Sequence, residues 1–241
     1  MSNRNKSYRA LLIDLDGTLL NLDIDRFIPV YLEALSKKFT GFISQEDFIS
    51  HLFKATSRMV ENDDPLMKNE VVFYDEFYRL TGLERNQVKS IADDFYRQEF
   101  SALSFFGKKH PYSRAVIEAA KSKNLVLTLA TNPVFPTAAT MHRLSWSGLS
   151  RQDFQLVTTM DNMHFCKPRK EYYLEIAKKI NCPPEQCLMA GNDTLEDLNA
   201  SEAGMGTFLV EDFIIQRGGE EPRCDYRGSL EDLVGFIEQL R

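Results

Sequence analysis

Five short apolar runs set the terms on which this chain can fold: residues 10–13, 125–130, 156–159, 187–190 and 206–210. Each is four to six residues long with little polar alternation, which is how a strand reads when both of its faces are covered. Segments with helical periodicity separate them. Strand and helix in alternation give a parallel sheet with helices on its two faces, so the sequence predicts an α/β fold in three layers with a mostly parallel sheet. At 241 residues with 43% hydrophobic content, the chain has the material for a sizeable core. In open sheets of this kind ligands bind beyond the carboxyl ends of the strands, and that edge is the place to look for chemistry.

The alternation is broken once. From about Asn21 to Leu103 there is helical periodicity and no convincing strand. Phe27, Tyr31, Leu35 and Phe39 fall on one face, with Asp25 placed to cap and Pro29 tolerable in the first turn. Ser44-Gln45-Glu46-Asp47 has the spacing of a capping box, followed by Phe48, Leu52 and Met59 on one face. Val72 or Phe73, with Phe77 and Leu80, forms a third stripe closed by Gly82, and Val88, Ile91 and Phe95 form a fourth. Four amphipathic helices with facing stripes can bury one another, so residues 21–103 are expected to form a small helical bundle, and residues 1–20 with 104–241 the α/β core. After the insert, helices are expected from Ser113 (as cap) to Lys123, from Thr137 to Leu144, from Glu171 to Ile180, from Thr194 to Ala203 with Gly204 as the stop, and from Ser229 onward.

The first run ends in Asp14-Leu15-Asp16-Gly17-Thr18. Acids at i and i+2 of an extended backbone point the same way, and Gly17 then lets the chain turn. Two neighbouring carboxylates repel unless they share a cation or a proton, which points to a metal-dependent reaction site. The other runs end in keeping with it. The second ends in Thr131-Asn132-Pro133, Lys167-Pro168 opens a helical segment after the third, and the fourth ends in Gly191-Asn192-Asp193 with Asp197 four residues on. With these four motifs in this order, the chain strongly resembles the haloacid dehalogenase-like hydrolases from Tyr8 to about Val210.

The resemblance implies a Rossmann-like core, a helical cap inserted after the first motif, and an Mg²⁺-dependent phosphatase acting on small phosphorylated metabolites. Asp14 would attack phosphorus as the nucleophile, dividing one displacement into two through an aspartyl-phosphate. Asp16 would be the general acid and base, and its backbone carbonyl resembles the family's metal ligand. Members that cleave carbon–halogen bonds lack this second Asp, because a departing halide needs no proton; Asp16 therefore argues for phosphoryl transfer. Asp14, Asp16 and Asp193 would hold the metal through hard oxygen ligands. Asp197 would order the metal's water shell or the essential Lys, although Thr194-Leu195-Glu196-Asp197 also has capping-box spacing. Lys167 would neutralise the phosphoryl oxygens; a cation at a helix start conflicts with the helix dipole, and a bound anion would remove the conflict. Thr131 and the Asn132 N–H would hold phosphoryl oxygens, while Pro133 departs from the pattern by removing a backbone donor and stiffening the loop. A phosphomutase on the same scaffold, or a catalytically silent phosphate- or partner-binding protein, are the alternatives; the silent form usually lacks one of Asp14, Asp16, Lys167 or Asp193, and all four are here.

Charge and cysteine content narrow the remaining classes. A net charge of −6 gives no bulk attraction to nucleic acid or an anionic membrane, so anion specificity must come from local cations. No apolar stretch approaches the ~20 residues of a membrane helix, and Met1 to Lys6 is polar, which together favour a cytoplasmic protein. Cys166, Cys182, Cys187 and Cys224 lack metal-ligand spacing and read as free thiols. The four His residues are scattered, and Lys54, Arg58 and Lys68 of the insert read as solvated charges. Oligomeric state is left open by the sequence.

Overall fold

The computed structural model describes residues 7–217, 219 and 221–240. In chain order the elements are β1 (Ala10–Ile13), β2 (Leu20–Leu22), α1 (Ile24–Lys37), α2 (Gln45–Val60), α3 (Asn69–Thr81), α4 (Arg85–Gln98), β3 (Gly107–Lys109), α5 (Ser113–Ser122), β4 (Val126–Leu129), α6 (Thr137–Trp146), β5 (Leu156–Val157), α7 (Lys170–Lys179), β6 (Cys187–Gly191), β7 (Gly206–Val210), β8 (Tyr226–Gly228) and α8 (Leu230–Glu238). Six strands form one sheet in the order β5-β4-β1-β6-β7-β8, and every neighbouring pair is parallel. This is a three-layer, Rossmann-like α/β core. Pairing Ile13 with both Leu129 and Ala190 places the ends of β4 and β6 on either side of Asp14.

The faces of β1 show why its sequence is apolar throughout. Leu11 and Ile13 join one cluster with Val116 and Ile117 of α5, Leu144 of α6, and Leu233 and Ile237 of α8. Ala10 and Leu12 face the opposite way, with Tyr172, Tyr173 and Ile176 of α7 and Ala200. All four residues are fully buried, as a central parallel strand requires.

The four insert helices form as their stripes demand. Phe27, Phe39, Phe48, Phe77, Val88 and Phe95 are buried and belong to the same cluster as one face of the sheet, so the insert shares the core's apolar interior. Rings of α1 reach the sheet domain directly: Phe27 lies 6.3 Å from Trp146, and Tyr31 lies 5.5 Å from Phe135. A second set of contacts ties the far end of the insert to the segment before Lys167. Asn62 Nδ2 donates to the His164 carbonyl at 3.2 Å, and the Asn69 N–H donates to the Met163 carbonyl at 2.8 Å.

Several local expectations change. A short antiparallel ribbon, β2 with β3, zips the two crossings between sheet and insert, although no strand was expected from Asn21 onward. Three-residue strands are too short for alternation to show. The cap of α1 is Asp23, which accepts from the Arg26 N–H at 3.3 Å, and Asp25 sits in the first turn instead. Ser113 does not cap α5; its hydroxyl donates to the Leu19 carbonyl at 2.6 Å and ties the helix to the first loop. The expected helix from Thr194 to Ala203 is a turn followed by a short 3-10 segment, Leu198–Ala203, which ends at Gly204 with φ +86°. β8, Tyr226–Gly228, is likewise only three residues long and pairs with β7 at the sheet edge.

Candidate active site

The carboxyl edge of the sheet gathers the acids and cations that the motifs supply. Asp14 leaves the end of β1, 8% exposed, with its N–H held by the Ala190 carbonyl at 2.9 Å. The Lys167 ammonium donates to Asp14 Oδ1 at 2.8 Å and to Asp197 Oδ1 at 2.6 Å. Asp197 Oδ2 in turn accepts the Asp193 N–H at 2.9 Å. Three motifs, the first more than 150 residues from the other two, thus meet in one chain of contacts.

Lys167 does not occupy a helix start. The helix begins at Lys170 with Arg169 as its cap, so the dipole conflict expected from sequence does not arise. What holds the ammonium is a pair of carboxylates, and its own N–H is held by Asn132 Oδ1 at 3.3 Å. Burial pulls its pKa down, but Asp14 and Asp197 outweigh that and raise it well above the usual range. Asp197 likewise is no capping-box member: its carboxylate serves Lys167 and the Asp193 N–H, while the Thr194 hydroxyl accepts from the Arg217 N–H at 2.8 Å.

Two glycines are required by this packing. Gly17 has φ +85°, and a Cβ there would stand 2.2 Å from Asn192 Nδ2. A Cβ on Gly191 would stand 2.1 Å from Asp197 Oδ2. Gly191→Ala therefore displaces Asp197 from Lys167. The expected result is a stability loss of about 1–3 kcal/mol in urea titration, with activity falling at least as sharply.

Thr131 follows β4 and is buried; its carbonyl accepts from Thr158 Oγ1 at 2.7 Å and from the Tyr172 hydroxyl at 2.9 Å. Asn132 clasps two neighbouring loops, since its Nδ2 also donates to Glu196 Oε2 at 3.1 Å. The loop runs on through Pro133, with the Val134 N–H turned back to the Asn132 carbonyl at 2.8 Å.

Asp193 joins the chain of contacts through its backbone N–H alone, and its carboxylate has other partners. Its Oδ1 accepts the Leu195 and Glu196 N–H groups, each at 2.9 Å, and its Oδ2 accepts from Arg217 Nε at 2.7 Å. No hydrogen bond or ion pair joins it to Asp14 among the described residues, nor do three His, Cys, Asp or Glu side chains converge there as a metal-holding group. The ligand set implied by the resemblance needs only two carboxylates, with the Asp16 carbonyl as the third donor. Arg217 is half exposed while Asp193 is buried, so the pair lies at the rim of the site.

Charge balance favours a further cation. Burial pushes the Asp14 carboxyl up to about 8, with Lys167 opposing and Asp197 and Asp16 adding to the rise. Burial thus works against the ionised form a nucleophile needs, and the two buried carboxylates share a single ammonium. A divalent ion among hard oxygen donors would restore the carboxylate, so the residues present fit Mg²⁺.

Arg143, which no motif marked, faces Asp16. It is a fully buried residue of α6 whose Nη1 donates to Asp16 Oδ2, while its guanidinium carbon lies 4.4 Å from the Phe135 ring centroid. The one signal in the sequence is a cation four residues after Ala139 and next to Leu144, on a face that turns out to be buried.

A lysine-bridged acid cluster at the carboxyl edge of a three-layer parallel sheet is the site position of an open-sheet α/β enzyme. A family model described as haloacid dehalogenase-like hydrolase matches residues 8–203, and the chain belongs to that family. It is 24% identical over 250 residues to the glyceraldehyde 3-phosphate phosphatase of Methanothermobacter thermautotrophicus, covering 97% of this chain and 98% of that one. It is 26% identical over 214 residues to the bifunctional riboflavin kinase/FMN phosphatase of Arabidopsis thaliana; the match takes 87% of this chain but spans half of that protein's length. In fold it is similar to the crystal structure of a HAD phosphatase from Thermococcus onnurineus, with a TM-score of 0.57 at 21% identity and coverage of 95% and 97%. The four cysteines are free thiols, three of them buried, and no described helix is long and apolar enough to cross a membrane.

Proposed function

We propose that the protein is an Mg²⁺-dependent phosphatase that hydrolyses small phosphate monoesters through an aspartyl-phosphate. The observation that carries this reading is the Lys167 ammonium set between Asp14 and Asp197 at 2.8 and 2.6 Å. An oxygen of Asp14 attacks phosphorus, the ester P–O bond breaks, and the proton of Asp16 passes to the departing alcohol oxygen. Water then attacks the same phosphorus and gives its proton back to Asp16. The aspartyl P–O bond breaks with its electron pair returning to Asp14, and orthophosphate leaves.

Lys167, the Thr131 hydroxyl and the Asn132 N–H hold the phosphoryl oxygens as charge spreads over them. Asp14, the Asp16 carbonyl and Asp193 would hold Mg²⁺, which offsets the negative charge that would otherwise keep a phosphate away from these acids. Asp197 keeps Lys167 in place. Residues 21–103 act as a cap that excludes bulk water and reads the leaving group.

A screen of phosphate monoesters scored by released orthophosphate tests this reading. Hydrolysis with Mg²⁺ that stops on addition of chelator, and returns with excess Mg²⁺, is the expected result. Turnover unaffected by chelator would remove the metal from the scheme.

A further inference from the structure

Arg143 carries more donors than the reaction above employs. Its Nη1 is taken by Asp16 Oδ2, but Nε and Nη2 are buried without a hydrogen-bond partner, and so is Asp16 Oδ1. Buried guanidinium donors left unmade destabilise a protein unless something accepts from them in its working state. Nε and Nη2 form one edge of the guanidinium plane, the edge that grips a carboxylate through two parallel bonds. Arg79 does this with the same two atoms, reaching Glu76 Oε2 and Oε1 at 2.8 and 2.6 Å.

The surroundings add a further donor. Phe135 carries the Arg143 guanidinium at 4.4 Å on its ring and touches Tyr31 of α1 at a centroid distance of 5.5 Å. The Tyr31 hydroxyl is paired with that of Tyr96 from α4 at 2.7 Å, in buried surroundings. Two hydroxyls bonded to each other use one of their two hydrogens, so one remains to donate. Phe135 thus links the Arg143 guanidinium to the tyrosine pair.

We propose that Arg143 and the Tyr31–Tyr96 pair form a leaving-group subsite that takes a carboxylate on the alcohol portion of the phosphate monoester. The proposal rests on the phosphatase reading and names the substrate class of that same site. The carboxylate fills the Nε–Nη2 edge of Arg143, while Nη1 keeps Asp16 Oδ2 in place and leaves Oδ1 for the departing oxygen. Arg143 comes from the sheet domain and the tyrosines from the insert, so the subsite is whole only when the two meet. With a net charge of −6, the chain offers an anionic leaving group only such a local cation.

Two esters with the same reacting phosphate test it: 3-phosphonooxypropanoate and propyl phosphate, which differ in the carboxylate. The ratio of their kcat/KM values is expected to favour the carboxylate ester by at least about 50-fold, since a site built for a polar group rejects the analogue lacking it. Arg143→Met brings the ratio to near parity. Arg143→Lys, which keeps the cation without the planar fork, gives an intermediate ratio, and Tyr96→Phe lowers it several-fold. If Arg143→Met does not fold, the Lys and Phe variants carry the test. Equal use of both esters by the wild type overturns the subsite, as does an unchanged ratio in Arg143→Lys and Tyr96→Phe. Failure of the phosphatase reading looks different: no orthophosphate from either ester or from p-nitrophenyl phosphate.

Discussion

Asp14→Asn is expected to stop phosphate-ester hydrolysis while leaving the protein folded. An amide cannot form the aspartyl-phosphate, and loss of a nucleophile typically lowers kcat by about 10⁴-fold or more. Stability should not fall with activity. Lys167 retains its 2.6 Å contact with Asp197, and the substitution turns two buried carboxylates around one ammonium into a balanced pair. Orthophosphate release and thermal unfolding, measured on the same preparation, check both halves. Asp14→Ala should behave alike and guards against slow deamidation of the Asn. A variant that still turns over would sink the nucleophile assignment; one that unfolds would mean that Asp14 is structural.

Lys167→Met separates the two roles of the lysine in the opposite way. Its side chain is 1% exposed and stands between carboxylates that are themselves 11% and 2% exposed. Removing the ammonium strands two buried acids beside each other, a loss of about 3–5 kcal/mol when one partner of a buried pair is deleted. Activity should fall by at least about 10²-fold as the phosphoryl oxygens lose their cation. A second substitution distinguishes fold from chemistry. Asp197→Asn in the Lys167→Met background removes one of the stranded charges, so urea unfolding should recover part of the lost stability while orthophosphate release stays low. Recovery of activity by the double variant would show that Lys167 serves only the fold.

The site was legible where a motif and a strand end coincide. Asp14, Thr131 and Asn132 follow apolar runs whose burial is written in their composition, and a parallel sheet brings such ends to one edge. The four helices of the insert were legible for the same kind of reason, since stripes at helical spacing survive without knowledge of neighbours. What failed was local and polar. Ser113 and Thr194-Leu195-Glu196-Asp197 have cap-like spacing, yet their oxygens bond to a loop carbonyl, a lysine and a distant backbone N–H.

The sequence by itself determined the fold class, the order of the elements and the identity of most acids at the site, because apolar periodicity and motif order are properties of the chain alone. Only the tertiary structure decided which cation meets which carboxylate. It set Lys167 on Asp14 and Asp197, Arg217 on Asp193, and Arg143 on Asp16. Those pairings join residues 24 to 153 positions apart, and a charged side chain carries no mark in the sequence of the partner that will neutralise it once both are out of water.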